Sequence, residues 1–116
     1  MTIALIIVAA LLGLAAAGSG VSKLTKQPLS MESCAHVGVK AEFVPVLALL
    51  ELAGALGLVV GIWIAPLGIA AAVGLALYFL GAVIAHLRIH DKPADFAPAF
   101  VLFALAVATV VLELKR

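Results

Sequence analysis

Four long apolar runs divide the chain, and Glu51 is the only charged residue inside any of them. A helix of about 20 mostly apolar residues crosses the hydrocarbon core of a bilayer, which is ~30 Å thick. Backbone polar groups in lipid must be satisfied within their own segment, so each run predicts a helix rather than an isolated strand. The runs, and therefore the predicted helices, cover residues 2–22, 43–64, 67–87 and 96–112.

The composition excludes most alternatives to a membrane protein. Hydrophobic residues make up 66% of the 116 positions and charged residues 11%, whereas a soluble domain has roughly 45–50% and about 25%. A soluble chain of this size would leave much of that apolar surface in water, and a disordered chain needs the opposite composition. The net charge of +1 does not indicate the basic surface that binds nucleic acid. We therefore expect an integral membrane protein whose first partners are lipids.

The connections between the runs predict how the helices are arranged. The short break at Pro66 forces the second and third helices into an antiparallel hairpin, and Pro93 separates the third from the fourth. The long connection, residues 23–42, could hold a short helix between Pro28 and Gly38. The predicted fold class is all-α, a transmembrane four-helix antiparallel bundle, and the whole chain, 1–116, forms one domain.

The distribution of basic residues predicts the orientation in the membrane. Cytoplasmic connections carry an excess of Lys and Arg, and the total here is seven. Most of them lie in the first and third connections, which we therefore expect on the cytoplasmic side: Lys23, Lys26, Lys40, Arg88 and Lys92.

Glu51 is the strongest functional signal. It lies about eight residues into the second run, roughly 12 Å below its start at 1.5 Å per residue, and ionisable groups at such depth face the interior and have a partner. Antiparallel folding brings the end of the first helix, the start of the second and the end of the third to one face. Lys23, Glu51 and His86 are therefore predicted to converge there, with Tyr78 as a deeper ligand-binding candidate.

Three interpretations of this polar group remain open. It could be a polar contact that fixes the register of the helices, a site for a ligand or a proton, or a protonated Glu51 without a partner. Apolar walls with a few convergent polar groups suit a quinone or a lipid-like ligand, and no fixed cofactor is predicted.

A second group of candidates lies on the same face: Glu32, Cys34, His36 and His90. Thiolate and imidazole are ordinary ligands of zinc and copper, but the spacing matches no established pattern, so no metal site is predicted. A single cysteine excludes an internal disulfide and a CxxC pair. The chain has no P-loop, dinucleotide glycine motif or nucleophile elbow, so no enzyme activity and no catalytic residue is assigned.

Small residues recur at helical spacing, among them Gly54, Gly57 and Gly61 in the second run and Gly74 and Gly81 in the third. Such positions let helices approach closely in lipid. We interpret these glycines as packing notches, which leave enough small-residue surface for a homo-oligomer.

Several short motifs resemble the DoxX-like membrane proteins, in order along nearly the whole chain. They are Gly20-Val21-Ser22-Lys23-Leu24, Glu32 and Gly38 in the long connection, Leu50-Glu51-Leu52-Ala53-Gly54-Ala55-Leu56-Gly57, and the stretch from Ala82 to Arg88 that contains His86. The resemblance implies a four-helix membrane fold without a fixed cofactor, in which Lys23, Glu51 and His86 match positions that the family tends to keep.

The resemblance also implies a range of roles. Some DoxX relatives belong to redox assemblies, including a thiosulfate:quinone oxidoreductase and a complex of superoxide dismutase with a sulfurtransferase, and distant animal relatives are assembly chaperones for membrane receptors. We expect a protein of the bacterial cytoplasmic membrane that acts as an accessory subunit or binds a small ligand, and that serves a redox system or another membrane partner. The alternatives are a scaffold or assembly chaperone acting through helix contacts and, with less support, a small transporter.

Overall fold

The computed structural model describes residues 2–116, and that part of the chain consists of helices and their connections, without strands. The predicted all-α class is confirmed. The elements are α1 (Ile3–Leu24), α2 (Pro28–His36), a 3-10 helix (Ala41–Phe43), α3 (Val44–Val60), α4 (Ala65–Arg88) and α5 (Pro93–Leu114).

Two helices begin earlier than predicted, each for a reason that involves proline. Pro66 lies within the first turn of α4 and Pro93 begins α5, because proline has no N–H to lose where first-turn amides have no helical partner. The backbone N–H of Lys92 donates to Asp95 Oδ2 at 3.1 Å, which caps α5. The break between α3 and α4 therefore falls at residues 61–64, ahead of Pro66.

The four long helices form an antiparallel bundle. Among residues 2–116, α1, α4, α5 and the segment Ala41–Val60 are each long and apolar enough to cross a membrane. α1 packs against α3 and α5, and α4 packs against the same two helices, so the order around the bundle is α1, α3, α4, α5. The end of α1 and the start of α3 lie at what we call the loop end, and the α3–α4 turn lies at the turn end.

The core is narrow and the outer surface is apolar. Leu12, Leu58, Leu75 and Phe79 are among the buried side chains at the centre, whereas many leucine, isoleucine and valine side chains point outward on all four long helices. An apolar exterior of this extent is compatible with lipid and not with water. The protein is a multi-pass integral membrane protein.

Glycines produce the close approach of α3 to α4. A Cβ placed on Gly57 would lie 2.7 Å from Ala71 Cβ, and one placed on Gly61 would overlap the Cα of Gly68. Within residues 2–116, an ideal Cβ on Gly74 or Gly81 would meet no atom within 4 Å apart from those of the neighbouring helix backbone. The prediction of packing notches is confirmed on α3 and is wrong for these two positions of α4, which face open space.

Candidate functional site

Glu51 is the centre of a hydrogen-bonded group that joins three helices. Its side chain is 0% exposed. Its Oε1 accepts from Lys23 Nζ at 2.7 Å, Tyr78 OH at 3.1 Å and Ser19 Oγ at 3.2 Å. The structure therefore brings together three predicted residues, Lys23, Glu51 and Tyr78, on α1, α3 and α4, and adds Ser19 to them.

The spacing of α1 explains how Lys23 reaches a buried partner. Ser19 and Lys23 are four residues apart and share one helix face, and Lys23 Nζ donates to Ser19 Oγ at 2.6 Å. The lysine side chain runs back along α1 and remains 15% exposed, as expected of a long cationic side chain with an apolar stem. Sequence analysis missed Ser19, although its position one turn before Lys23 was the available signal.

One oxygen of this group has no partner. Glu51 Oε2 is buried and forms no hydrogen bond within the described residues. A buried acceptor left unsatisfied costs about 1–3 kcal/mol, and such groups are few in native proteins. All three hydrogen bonds to the carboxylate converge on Oε1, which leaves the second oxygen unpaired among the described residues.

His86 lies at the same end of the bundle as Lys23 and Glu51, as predicted, but it forms no hydrogen bond with either residue. Its Nδ1 lies 2.6 Å from Asp91 Oδ2. His90 adopts a left-handed conformation with φ 58°, and this turn after α4 brings the Asp91 N–H within 3.1 Å of the His86 carbonyl oxygen. The chain thus folds back and offers the imidazole a carboxylate nearer than Glu51.

Asp91 also binds a histidine from the long connection. His36 Nε2 lies 2.8 Å from Asp91 Oδ1, and the rings of His36 and His86 are 6.5 Å apart. The hydrogen bond from His86, and then that from His36, hold the pKa of Asp91 below its usual range. Sequence analysis placed both histidines at this end but did not identify the carboxylate between them.

The remaining second-tier candidates are separated. Cys34 is buried, and burial raises the pKa of its thiol, while Glu32 and His90 are exposed. Within residues 2–116, no three or more His, Cys, Asp and Glu side chains are placed to hold a metal ion.

A cavity of about 500 Å³ lies at the loop end, lined by residues of all five α-helices. Its wall is mostly apolar and includes Leu47, Phe79 and Leu102. The polar lining comprises Ser19, Lys23, Ser33, Cys34, Tyr78, His86 and Asp95. Lys23 and His86, which do not bond to each other, therefore face one space, and Glu51 lies behind Ser19, Lys23 and Tyr78.

A second buried carboxylate occupies the turn end, and sequence analysis missed it. Arg116 donates to Glu113 Oε2 at 3.1 Å, to the Gly61 carbonyl at 2.6 Å and, through Nη2, to the Ile62 carbonyl at 3.0 Å. The guanidinium thus binds carbonyl groups at the end of α3, which have no helical donor. The signal in the sequence was an arginine three residues after a glutamate that ends an apolar run.

Comparison with known proteins gives one family. A family model described as "DoxX-like family" matches residues 7–109. Neither the curated proteins nor the solved structures compared with the chain gave a match. The matched residues include the whole lining of the loop-end cavity, from Ser19 to Leu102.

Proposed function

We propose that this membrane protein, which belongs to the DoxX-like family, binds the head group of a quinone or of a similar lipid-like molecule in its loop-end cavity. In this proposal it is an accessory subunit that presents the ligand to a redox system of the bacterial cytoplasmic membrane. The observation that carries the proposal is an apolar cavity lined in part by Lys23, whose ammonium group has one N–H donor that is not used by Ser19 or Glu51.

The count of donors favours a ligand with an acceptor group. An ammonium group has three N–H donors, and Lys23 uses two of them on Ser19 and Glu51. The third is available for a carbonyl oxygen of a quinone or for an ester oxygen of a lipid. His86 has its Nδ1 engaged by Asp91, so its Nε2 is a second group that a ligand can meet in the same space.

Size and charge favour a neutral head group. Ligand cavities hold about 300–1,000 Å³, and the volume of about 500 Å³ is within that range. The Lys23–Glu51 ion pair carries no net charge, so the site offers little attraction to an anion such as a lipid phosphate. A quinone ring fits these conditions, with its apolar tail passing between helices into the bilayer.

The test is equilibrium binding of a short-chain ubiquinone to the purified protein in detergent. Glu51→Gln removes the charge that holds Lys23, and Lys23→Met removes the spare donor, so each should weaken binding by about tenfold or more, the effect of roughly 1.4 kcal/mol. Glu32→Gln is the matched control, since Glu32 is exposed and does not line the cavity. Unchanged affinity in both folded variants would contradict the proposal, and failure of both to fold would favour the register-fixing role.

A second candidate function rests on a different surface. An apolar groove of about 580 Å³ runs along the outside of α1 and α3, where small residues including Ala10, Gly13 and Ala17 line it. Small residues admit a neighbouring helix in lipid, which favours a scaffold or assembly factor. Gly13→Leu would fill the groove. If the scaffold role is correct, it should abolish co-purification of a membrane partner while leaving ubiquinone binding intact.

A further inference from the structure

α2 covers the cavity from the aqueous side and is attached differently at its two ends. Ser33, Cys34 and Val37 contribute to the cavity lining from α2 and the residue after it. At its beginning, α2 follows α1 after three residues, and the hydroxyl groups of Ser22 and Ser30 are hydrogen-bonded to each other. This end of α2 is therefore joined firmly to α1.

The other end of α2 reaches the opposite side of the cavity through side chains. The backbone packing of α2 is with α1 and the 3-10 helix. His36, the last residue of α2, crosses to Asp91, which is held in turn by His86 of α4. We call this arrangement, His36–Asp91–His86, the bridge.

Within the bridge, Asp91 and His86 are nearly buried, whereas His36 is exposed and can move away. The side chains of Asp91 and His86 are 8% and 14% exposed, whereas that of His36 is 56% exposed. Pairs with an exposed partner contribute little free energy, so the His36–Asp91 contact can break without disturbing the bundle. The His86–Asp91 contact would remain, and Asp91 could bind His36 again.

We propose that the bridge is a latch, which holds α2 over the cavity and separates the Lys23–Glu51 pair from water until His36 releases Asp91. The inference rests on the proposed function, because it concerns the regulation of the same site. Opening moves the His36 end of α2 away from α4, while residues 37–40 still join it to the 3-10 helix, and exposes the polar end of the cavity to the aqueous phase.

The labelling rate of the Cys34 thiol measures this motion, and the measurement needs no bound ligand. It is the single cysteine of the chain, it lies on α2 and is 6% exposed, and burial raises the pKa of its thiol. The thiolate is the reactive form, so the closed state protects Cys34 by covering it, and the raised pKa acts in the same direction. A water-soluble maleimide will label it only when α2 lifts.

The experiment measures the labelling rate of Cys34 in the purified protein. His36→Ala removes the latch and should raise the rate about fivefold, the factor that corresponds to the upper range for a partly exposed pair. His36→Gln keeps an N–H donor for Asp91 and should stay within about twofold of the unchanged protein. The matched control is His90→Asn, which removes an exposed imidazole at a left-handed position that asparagine tolerates, and it should leave the rate unchanged.

Each outcome bears on one proposal alone. A wild-type labelling rate in His36→Ala overturns the latch, and so does an equal increase in His36→Gln or in His90→Asn, since the hydrogen bond would then not be what holds α2. Ubiquinone affinity is measured at equilibrium on the same proteins. If the unchanged protein did not bind ubiquinone, the proposed function would be overturned, and the labelling comparison would still be valid.

Discussion

The two ends of the bundle each bury a glutamate beside a cation, and the two arrangements differ in what remains unsatisfied. Glu51 and Glu113 are 0% and 3% exposed, and their partners Lys23 and Arg116 are 15% and 16% exposed. By burial and charge alone the two pairs are equivalent. A buried ion pair is thus not in itself a sign of a functional site.

The difference lies in the partners and in the adjoining space. At the turn end, Arg116 also binds two backbone carbonyls, and the Glu113 carboxylate is packed so closely on Gly68 that a Cβ there would lie 2.8 Å from Oε1. At the loop end, Glu51 Oε2 has no partner among the described residues and a cavity adjoins the pair. The turn end therefore serves to hold the helices together, whereas the loop end combines an unpaired carboxylate oxygen with an adjoining cavity.

The largest effect is expected from Gly61→Leu at the turn end. A side chain there overlaps Gly68 and forces α3 away from α4, and overpacking a close contact costs about 3 kcal/mol or more in the worst cases. We expect a large drop in the thermal unfolding temperature in detergent. Gly74→Ala, at a helical glycine with open space around it, is the control and should leave stability unchanged or slightly raised. A stable Gly61→Leu protein would mean that the close approach is dispensable.

An intermediate effect is expected from Arg116→Ala. It leaves Glu113 and two carbonyl groups without their donor, a loss of about 1–3 kcal/mol. Ubiquinone affinity should stay within about twofold, because the cavity is at the other end of the bundle, whereas Lys23→Met should lower affinity by about tenfold or more. Thermal unfolding and binding measured side by side on both variants test this. Equal losses of affinity would show that the two ends are coupled and that the comparison fails.

The smallest effect is expected from pH acting on Asp91. Its folded-state pKa lies below the ordinary value of 3.8, so its stabilisation is complete above that value and is lost as the pH falls through the folded-state pKa. Unfolding temperatures of the unchanged protein and of Asp91→Asn should therefore converge at acid pH and differ near neutrality. A constant difference from pH 5 downward would assign the effect of the substitution to something other than this carboxylate's charge.

The helices and the central ion pair could be predicted because both follow from the cost of polar groups in lipid. That cost requires long helices, and it requires a partner for Glu51, which antiparallel topology supplies in Lys23. The contacts of His86 could not be predicted, because they depend on a left-handed turn at His90 that brings Asp91 back. Arg116 was missed for a related reason. Besides Glu113, its partners are the backbone carbonyls of Gly61 and Ile62, which no residue type marks in a sequence.

The pairing of Lys23 with Glu51 determines how the site responds to a voltage across the membrane. A transmembrane voltage acts on net charge, with about 2.3 kcal/mol per elementary charge for each 100 mV. The two opposite charges are only 2.7 Å apart, so the forces on them nearly cancel. In the proposed function, binding of a neutral ligand beside them would move almost no charge through the field, so occupancy of the site would depend on ligand concentration and not on membrane potential.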